Sequence, residues 1–168
     1  MSTQPLLGRT ALVTGGSGDI GTGIATLLAS AGADVAITYM GHTAGADASV
    51  EAIAGHGRRG TAIQLDQRDA ASIDACVQKL GDDMGGLDIL VNNAAYQQSK
   101  ASIAEISTEQ FDRTMKTNVY AMFHLCKAAI PLMPRGAAII NTGSVNSVNP
   151  GEELLDYATT KAAIPVFT

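Results

Sequence analysis

The chain has 168 residues, of which 46% are hydrophobic and 16% charged, and its formal net charge is -5. That length suits one domain with a substantial core, and the acidic balance without a run of Lys or Arg argues against a nucleic-acid partner. We therefore expect a single domain over residues 1–168. No apolar stretch approaches the roughly 20 residues that span a bilayer, and residues 1–9 lack the layout of a secretory signal. We therefore expect the protein in the cytoplasm and without a membrane partner.

A glycine-rich stretch follows the first predicted strand, Ala11–Val13, and reads TGGSGDIG from Thr14 to Gly21. Residues without Cβ let the backbone turn sharply and approach a pyrophosphate, whose charge is met by the free N–H groups of a helix beginning near Ile20. A glycine pattern alone also fits a loop without a ligand. The strand before it and the apolar helix face after it favour a dinucleotide site, whose expected residues here are Gly15, Ser17, Gly18, Asp19, Ile20 and Gly21.

A second strand, Asp34–Tyr39, follows a helix that ends at Gly32, which gives the length of a right-handed crossover unit. The tip of this strand selects the cofactor, because an acidic side chain there binds the ribose hydroxyls of NAD and repels the extra phosphate of NADP. Here the tip, Tyr39 to Thr43, has no carboxylate. We therefore expect NADP, with NAD as the alternative, and expect Tyr39 to contact it.

A third strand, Thr61–Leu65, ends in Asp66. A carboxylate at this strand end can accept a hydrogen bond from the adenine amine, which would make it a cofactor residue. It can instead cap the following helix, with Asp69 and Ser72 as competing caps. The turn before this strand carries paired arginines at 58 and 59, which we expect to be solvated.

Strands and helices continue to alternate along the rest of the chain. A helix over Ile73–Leu80 leads to a buried strand, Leu87–Val91, after which Asn93 and Ala94 are expected at the cofactor. A longer helix, Phe111–Ile130, precedes a fifth strand at residues 137–141. Short strands alternating with helices, without repeats or linkers, predict an α/β fold: a doubly wound parallel sheet between two helical layers. The two cysteines and the three histidines are scattered, so no metal site is expected.

Four polar residues are candidates for a catalytic role: Asn118, Ser144, Tyr157 and Lys161. Asn118 falls in the middle of a predicted helix, where asparagine is usually tolerated on a solvent face. Ser144 follows the fifth strand at its carboxyl end. Asp156 precedes a helix that holds Tyr157 and Lys161 on one face, because they are four residues apart.

The chain carries four motifs in order: TGGSGDIG, the NNAA run from Asn92, Ser144, and the YATTK run from Tyr157. Through the order and spacing of these motifs, the chain resembles the short-chain dehydrogenase/reductase family over nearly its whole length. The resemblance implies a Rossmann fold, NAD(P)-dependent oxidoreductase activity and a small carbonyl or alcohol substrate. The stretch from Ala138 to Lys161 is similar to the branch of glucose and ribitol dehydrogenases and aldehyde reductases. Family members pair through their helices, which implies a homo-oligomer, a dimer or a tetramer.

The resemblance also implies a role for each of the four polar residues. Tyr157 would be the general acid and base, and the Lys161 ammonium one helical turn away would favour the ionised phenol and hold the nicotinamide ribose, so both also belong to the cofactor site. Ser144 would bind the substrate oxygen, and Asn118 would hold a water that relays protons to Lys161. Two other hypotheses stay open: a nucleotide-binding module without turnover, and a fragment that only forms dimers.

Two features depart from the family pattern. Asp19 stands where a glycine is usual, and its carboxylate would either cap the helix or repel the pyrophosphate. The sequence also stops inside the helix of Tyr157, whereas family members continue for roughly half as much again. We therefore expect a fold incomplete at its carboxyl end, with an exposed apolar sheet edge and poor stability unless the chain associates.

Overall fold

The computed structural model describes residues 4–168 and contains one parallel sheet. Its strands are β1 (Thr10–Val13), β2 (Asp34–Tyr39), β3 (Gly60–Gln64), β4 (Ile89–Asn92) and β5 (Ala138–Asn141). Its helices are α1 (Asp19–Ser30), α2 (Thr43–Ala54), α3 (Ala70–Met84), α4 (Thr108–Met115), α5 (Ala121–Ala129) and α6 (Leu155–Phe167). A π-helical turn, Lys116–Tyr120, joins α4 to α5.

The strand order is β3-β2-β1-β4-β5, and each neighbouring pair is parallel. The chain builds outward from β1 through β2 to β3, then crosses back to the other side of β1 and continues through β4 to β5. The direction of building therefore reverses between β1 and β4. In open parallel sheets a ligand binds outside the carboxyl ends of the strands at such a reversal.

Two apolar clusters cover the two faces of the sheet, because successive strand residues point to opposite sides. Ala11 and Val13 pack on one face against buried alanines of α1 and Ile53 of α2. Leu12 packs on the other face against α3 and α5, where Leu125 is fully buried. The predicted three-layer, doubly wound α/β fold is therefore present.

One edge of the sheet carries exposed apolar side chains, as the sequence predicted. Within the described residues the only strand paired with β5 is β4. Its residues Ala138 and Ile140 face solvent, and Ile140 is 50% exposed. No helix within residues 4–168 is both long and apolar enough to cross a membrane.

Two local expectations are corrected by the structure, and one open alternative is decided. Asp156 lies inside α6 rather than before it, because the helix already begins at Leu155. The arginine at 58 is not a solvated side chain: its guanidinium pairs with Asp34 at 2.6 Å and is only 18% exposed. Asp69, one of the alternatives considered, caps α3, since its carboxylate accepts hydrogen bonds from the backbone N–H groups of Ala71 and Ser72.

Candidate functional site

A cleft of about 630 Å³ opens at the carboxyl edge of the sheet. The segments that follow β1, β2, β3 and β4 line it, with one wall from α4 and the π turn. It brings together ten residues that the sequence assigned to a cofactor: Gly15, Ser17, Gly18, Asp19, Ile20, Gly21, Tyr39, Asp66, Asn93 and Ala94.

The glycines of the β1–α1 turn serve two different purposes. A Cβ on Gly16 would lie 2.4 Å from Ile37, and one on Gly21 would lie 2.2 Å from the carbonyl oxygen of Gly15, so the fold itself requires these two glycines. A Cβ on Gly18 would meet nothing closer than 3.8 Å. Gly18 instead leaves the cleft open directly before α1, where the first N–H groups of the helix have no partner within the helix. This arrangement fits a phosphate group.

Thr14 fixes the two sides of this entrance to each other. Its hydroxyl oxygen accepts hydrogen bonds from the backbone N–H groups of Asn93 and Ala94, both at 3.0 Å. The Asn93 side chain donates in turn to the carbonyl oxygen of Thr14 at 3.0 Å. The loops after β1 and β4 therefore form one rigid rim around the cleft.

Asp19 does not cap α1, which corrects one of its two expected roles. It is the first helical residue, the cap position is Gly18, and its exposed carboxylate has no hydrogen bond or ion pair among the described residues. A carboxylate in the first turn interacts favourably with the helix dipole, but it faces the same cleft as the free N–H groups. It would compete with a bound anion there.

Three cationic or titratable side chains that line the cleft were not expected from the sequence. Arg68 pairs with Asp66 at 2.6 Å and holds the pKa of that carboxyl at about 2, below its ordinary 3.8. Arg113 of α4 stacks on the ring of Tyr96 at 4.0 Å. His42 lies at the tip of β2. Their positions just after β2 and β3 could have indicated His42 and Arg68, whereas nothing in the local sequence indicates Arg113 on α4.

The predicted pair Tyr157 and Lys161 comes together on α6. The Lys161 Nζ lies 5.6 Å from the centre of the Tyr157 ring and donates a hydrogen bond to the carbonyl oxygen of Thr142 at 2.6 Å. Lys161 is only 3% exposed, and this burial lowers its pKa. The phenol oxygen of Tyr157 has no hydrogen-bond partner within the described residues.

Ser144 lies at the carboxyl end of β5, as predicted, and begins a short 3-10 turn. Its hydroxyl oxygen accepts a hydrogen bond from the backbone N–H of Asn146 at 3.1 Å. The structure shows no acceptor for its own O–H proton among the described residues. That proton is therefore available to a group outside the chain.

Asn118 is buried, 5% exposed, and lies in the π turn rather than on the solvent face of a regular helix. Its amide accepts from the N–H of Tyr96 at 2.7 Å and donates to the carbonyl oxygen of Tyr96 at 2.9 Å and to the hydroxyl of Thr160 at 3.0 Å. It thereby connects the loop after β4 to α6. Asn118 and Lys161 also line a cavity of about 10 Å³, which shares Gln67, Ala94 and Thr117 with the large cleft.

A second buried polar group lies directly beside Tyr157. Asp156 is 1% exposed and accepts from Thr114 at 2.7 Å and Gln110 at 3.1 Å, both on α4, and from the N–H of Tyr157 at 2.8 Å. It therefore ties α6 to α4. Within residues 4–168, no cluster of three or more His, Cys, Asp or Glu side chains is arranged to hold a metal.

Comparisons with known proteins agree with this geometry. Residues 9–168 match the family described as short chain dehydrogenase. An uncharacterized oxidoreductase of Bacillus subtilis, YhdF, is 41% identical over 97% of this chain and 56% of its own length. NADPH-dependent aldehyde reductase 1 of Arabidopsis thaliana is 36% identical over 99% of this chain and 60% of its own. The chain thus spans a little over half the length of these curated relatives.

A solved structure is also closely similar. A short chain dehydrogenase from Burkholderia cenocepacia, crystallised in complex with NADP, superposes with a TM-score of 0.93 at 40% identity, over 97% of this chain and 66% of that one. The family match, the relatives and the strand order confirm the predicted family and fold. The chain belongs to the short-chain dehydrogenase family.

Proposed function

We propose that the chain is a single dinucleotide-binding domain of an NADP-dependent oxidoreductase, which interconverts a small aldehyde, ketone or sugar carbonyl with the alcohol. One observation carries this proposal. The cleft that collects the ten expected cofactor residues adjoins the cavity lined by Asn118 and Lys161. A nucleotide site and a proton-handling group are therefore next to each other.

The residues at the cleft fit a dinucleotide. Gly18 leaves room beside the start of α1, and the N–H groups there would hold the pyrophosphate. Tyr39 and Asp66 would flank the adenosine, and Asn93 and Ala94 would line the path toward the nicotinamide. The cofactor, when bound, would supply or accept the hydride, and the chain would position it.

The proton would be handled by Tyr157, because its phenol has no partner among the described residues and is free to bond a substrate oxygen. The ammonium of Lys161 stands beside the ring and is directed by the carbonyl of Thr142. Ser144 would donate its free O–H to the same substrate oxygen. Both N–H donors of the Asn118 amide are already engaged, so Asn118 would contribute by shaping a cavity near the lower size limit for one water.

NADP is favoured over NAD for two reasons. The tip of β2 carries no carboxylate that would repel a 2′-phosphate. The Arabidopsis relative is named NADPH-dependent, and the Burkholderia structure holds NADP. We also propose a cytoplasmic homo-oligomer. Two partly exposed phenylalanine side chains, Phe111 on α4 and Phe123 on α5, support association between copies.

The testing experiment is a fluorescence titration of the 168-residue chain with NADPH and NADH, followed by turnover assays with a panel of aldehydes. Saturable binding with turnover supports the proposal. Y157F should lower turnover by about 100-fold or more and leave nucleotide affinity nearly unchanged. Tyr120 is exposed and without hydrogen bonds, so Y120F is the matched control.

Two results would contradict the proposal in different ways. Absence of saturable binding would refute the nucleotide site itself. Binding without turnover of any substrate would favour the second candidate, a nucleotide-binding module. The exposed apolar edge at β5 is the observation that favours that alternative.

A further inference from the structure

We infer that Asn146 orients the hydroxyl of Ser144, so that this hydroxyl can only donate a hydrogen bond to the substrate oxygen. The inference rests on the oxidoreductase function proposed above. Asn146 acts through Ser144 and is therefore a positioning residue, which neither lines the nucleotide cleft nor touches the substrate in this proposal.

The first step concerns the surroundings of the Ser144 oxygen. A serine hydroxyl has one O–H donor and two lone pairs that can accept. The backbone N–H of Asn146 donates to this oxygen at 3.1 Å, and the side-chain Nδ2 of the same residue donates a longer bond at 3.4 Å. Both groups are donors, so neither can take the hydroxyl proton. The O–H of Ser144 must therefore point away from Asn146.

The second step concerns the orientation of the Asn146 amide, because the reversed amide would have the opposite effect. Its oxygen Oδ1 accepts a hydrogen bond from the backbone N–H of Gly151 at 2.9 Å. A backbone N–H can only donate, so Oδ1 must occupy that end of the amide and Nδ2 must face Ser144. In a reversed amide, Oδ1 would face the Ser144 oxygen and accept its proton. The N–H of Gly151 thus determines which way the Ser144 hydroxyl points.

The third step is that the backbone around Asn146 is held in place. The carbonyl oxygen of Ser144 accepts from the N–H of Ser147 at 3.0 Å and from the hydroxyl of Ser147 at 2.7 Å. Two residues before Ser144, the carbonyl oxygen of Thr142 accepts from the Nζ of Lys161 on α6. The turn that carries Asn146 is therefore fixed both internally and to α6.

The chemical consequence concerns the oxygen of a carbonyl substrate. Negative charge develops on this oxygen during reduction, and a preoriented donor stabilises that charge more than it stabilises the uncharged carbonyl. The proposed function brings the phenol of Tyr157 to the same oxygen. A freely rotating hydroxyl could accept a hydrogen bond from that phenol and so withdraw the proton that the substrate needs. Because Asn146 occupies its lone pairs, Ser144 serves the substrate oxygen only as a donor.

The test compares kcat and KM of N146D and N146A, with NADPH and the aldehyde that the natural sequence reduces fastest. In N146D one carboxylate oxygen can still accept from the N–H of Gly151, but the other replaces Nδ2 and accepts the Ser144 proton. We expect N146D to lower kcat by about 10- to 100-fold with little change in KM, which corresponds to one charge-assisted hydrogen bond. N146A only frees the hydroxyl and should lower kcat by about 5-fold or less.

The order of these two variants separates positioning from a purely structural role. If Asn146 only held the turn together through Gly151, N146D would keep that acceptor and would be the milder change. The added charge needs its own control. Asn149 follows the same turn, is exposed, and its side chain has no partner among the described residues, so N149D should keep kcat within about 2-fold. In an S144A background, N146D should lower kcat by less than about 3-fold, because the hydroxyl that it diverts is absent.

NMR spectroscopy gives a readout that does not depend on turnover. In the 15N-labelled chain, S144A should shift the side-chain NH₂ signals of Asn146 and leave those of Asn149 unchanged. Equal NADPH affinity in every variant shows that each one is folded, since none of the changed residues lines the cleft.

Three results would overturn the inference while leaving the proposed function intact. They are a loss of kcat in N146A as large as that in N146D, an effect of N146D that persists in S144A, and unshifted Asn146 signals in S144A. Absence of turnover in the natural sequence would instead overturn the proposed function, and this inference with it.

Discussion

The carboxylate of Asp156 provides the most informative perturbation of the fold near Tyr157. Replacement by alanine removes the acceptor shared by Gln110, Thr114 and the N–H of Tyr157. The N–H of Tyr157 lies in the first turn of α6 and has no partner within the helix. D156A therefore leaves one partly buried donor without an acceptor in the protein.

The magnitude follows from the partners that are left behind. Thr114 keeps a second acceptor, the carbonyl oxygen of Gln110 at 2.9 Å, and Gln110 keeps the carbonyl oxygen of Gln98 at 3.4 Å. One orphaned donor costs about 1–3 kcal/mol, and the two weakened bonds add less. We expect D156A to lower the free energy of unfolding by about 2–3 kcal/mol, which for a chain of this length corresponds to a loss of roughly 5–10 °C in Tm.

The assay is urea denaturation followed by far-UV circular dichroism. Asp74 on α3 is exposed and has no partner among the described residues, so D74A is the matched control and should lie within about 0.5 kcal/mol of the natural sequence. D156N removes the charge of the side chain but keeps its shape. Its amide oxygen can accept from the N–H of Tyr157 only if its NH₂ group faces the NH₂ group of Gln110, where two donors would meet. A loss below about 1 kcal/mol in D156A would refute the view that this carboxylate holds α6 on α4.

Three further predictions concern other parts of the chain. G21A should unfold the turn at the start of α1, whereas G23A, whose Cβ meets nothing within 4 Å, should raise the free energy of unfolding by about 0.5–1 kcal/mol; both are read from denaturation curves. R68Q should raise the pKa of Asp66 from about 2 toward 3.8, as followed by NMR titration. The stability that the lowered pKa contributes above pH 3.8, and that the natural sequence loses as the pH falls from 3.8 to about 2, should therefore be largely absent in R68Q at every pH. The thiol of Cys76, whose pKa burial raises to about 11, should not react with a disulfide reagent at pH 8 until urea unfolds the chain; rapid native reaction would contradict its burial.

The strands and the order of the fold were predictable because they depend on local patterns. Buried apolar runs mark β1 and β4 directly, and glycines mark the turn after β1 and the turn before β4. The gathering of distant residues such as Asp66 and Asn93 in one cleft also follows, since parallel strands present their carboxyl ends at the same edge. Strand ends differed from the expected ones by one or two residues, which is the ordinary uncertainty of element boundaries.

The polar interior was not predictable to the same degree. Asn118 and Asp156 look like surface residues in sequence, because their partners Tyr96 and Gln110 lie far away along the chain. The ion pair between positions 34 and 58 likewise forms only when β2 and β3 are side by side. Local propensity contains no information on such contacts, and tertiary packing decides them. The resemblance to a family supplied Asn118 where the pattern of its own helix did not.

The π turn between α4 and α5 has a consequence for changes in chain length. A residue in a regular helix advances by about 100°, and a π turn accommodates one extra residue. Gln110 and Thr114 therefore face α6 while Leu125 and Cys126 face the sheet on the far side of the turn. Deleting one residue from this segment would rotate all of α5 and bring polar positions into the core. The extra residue of the π turn therefore sets which face of α5 points into the core. A redesign that replaces this turn by regular α-helix must also change the sequence of α5.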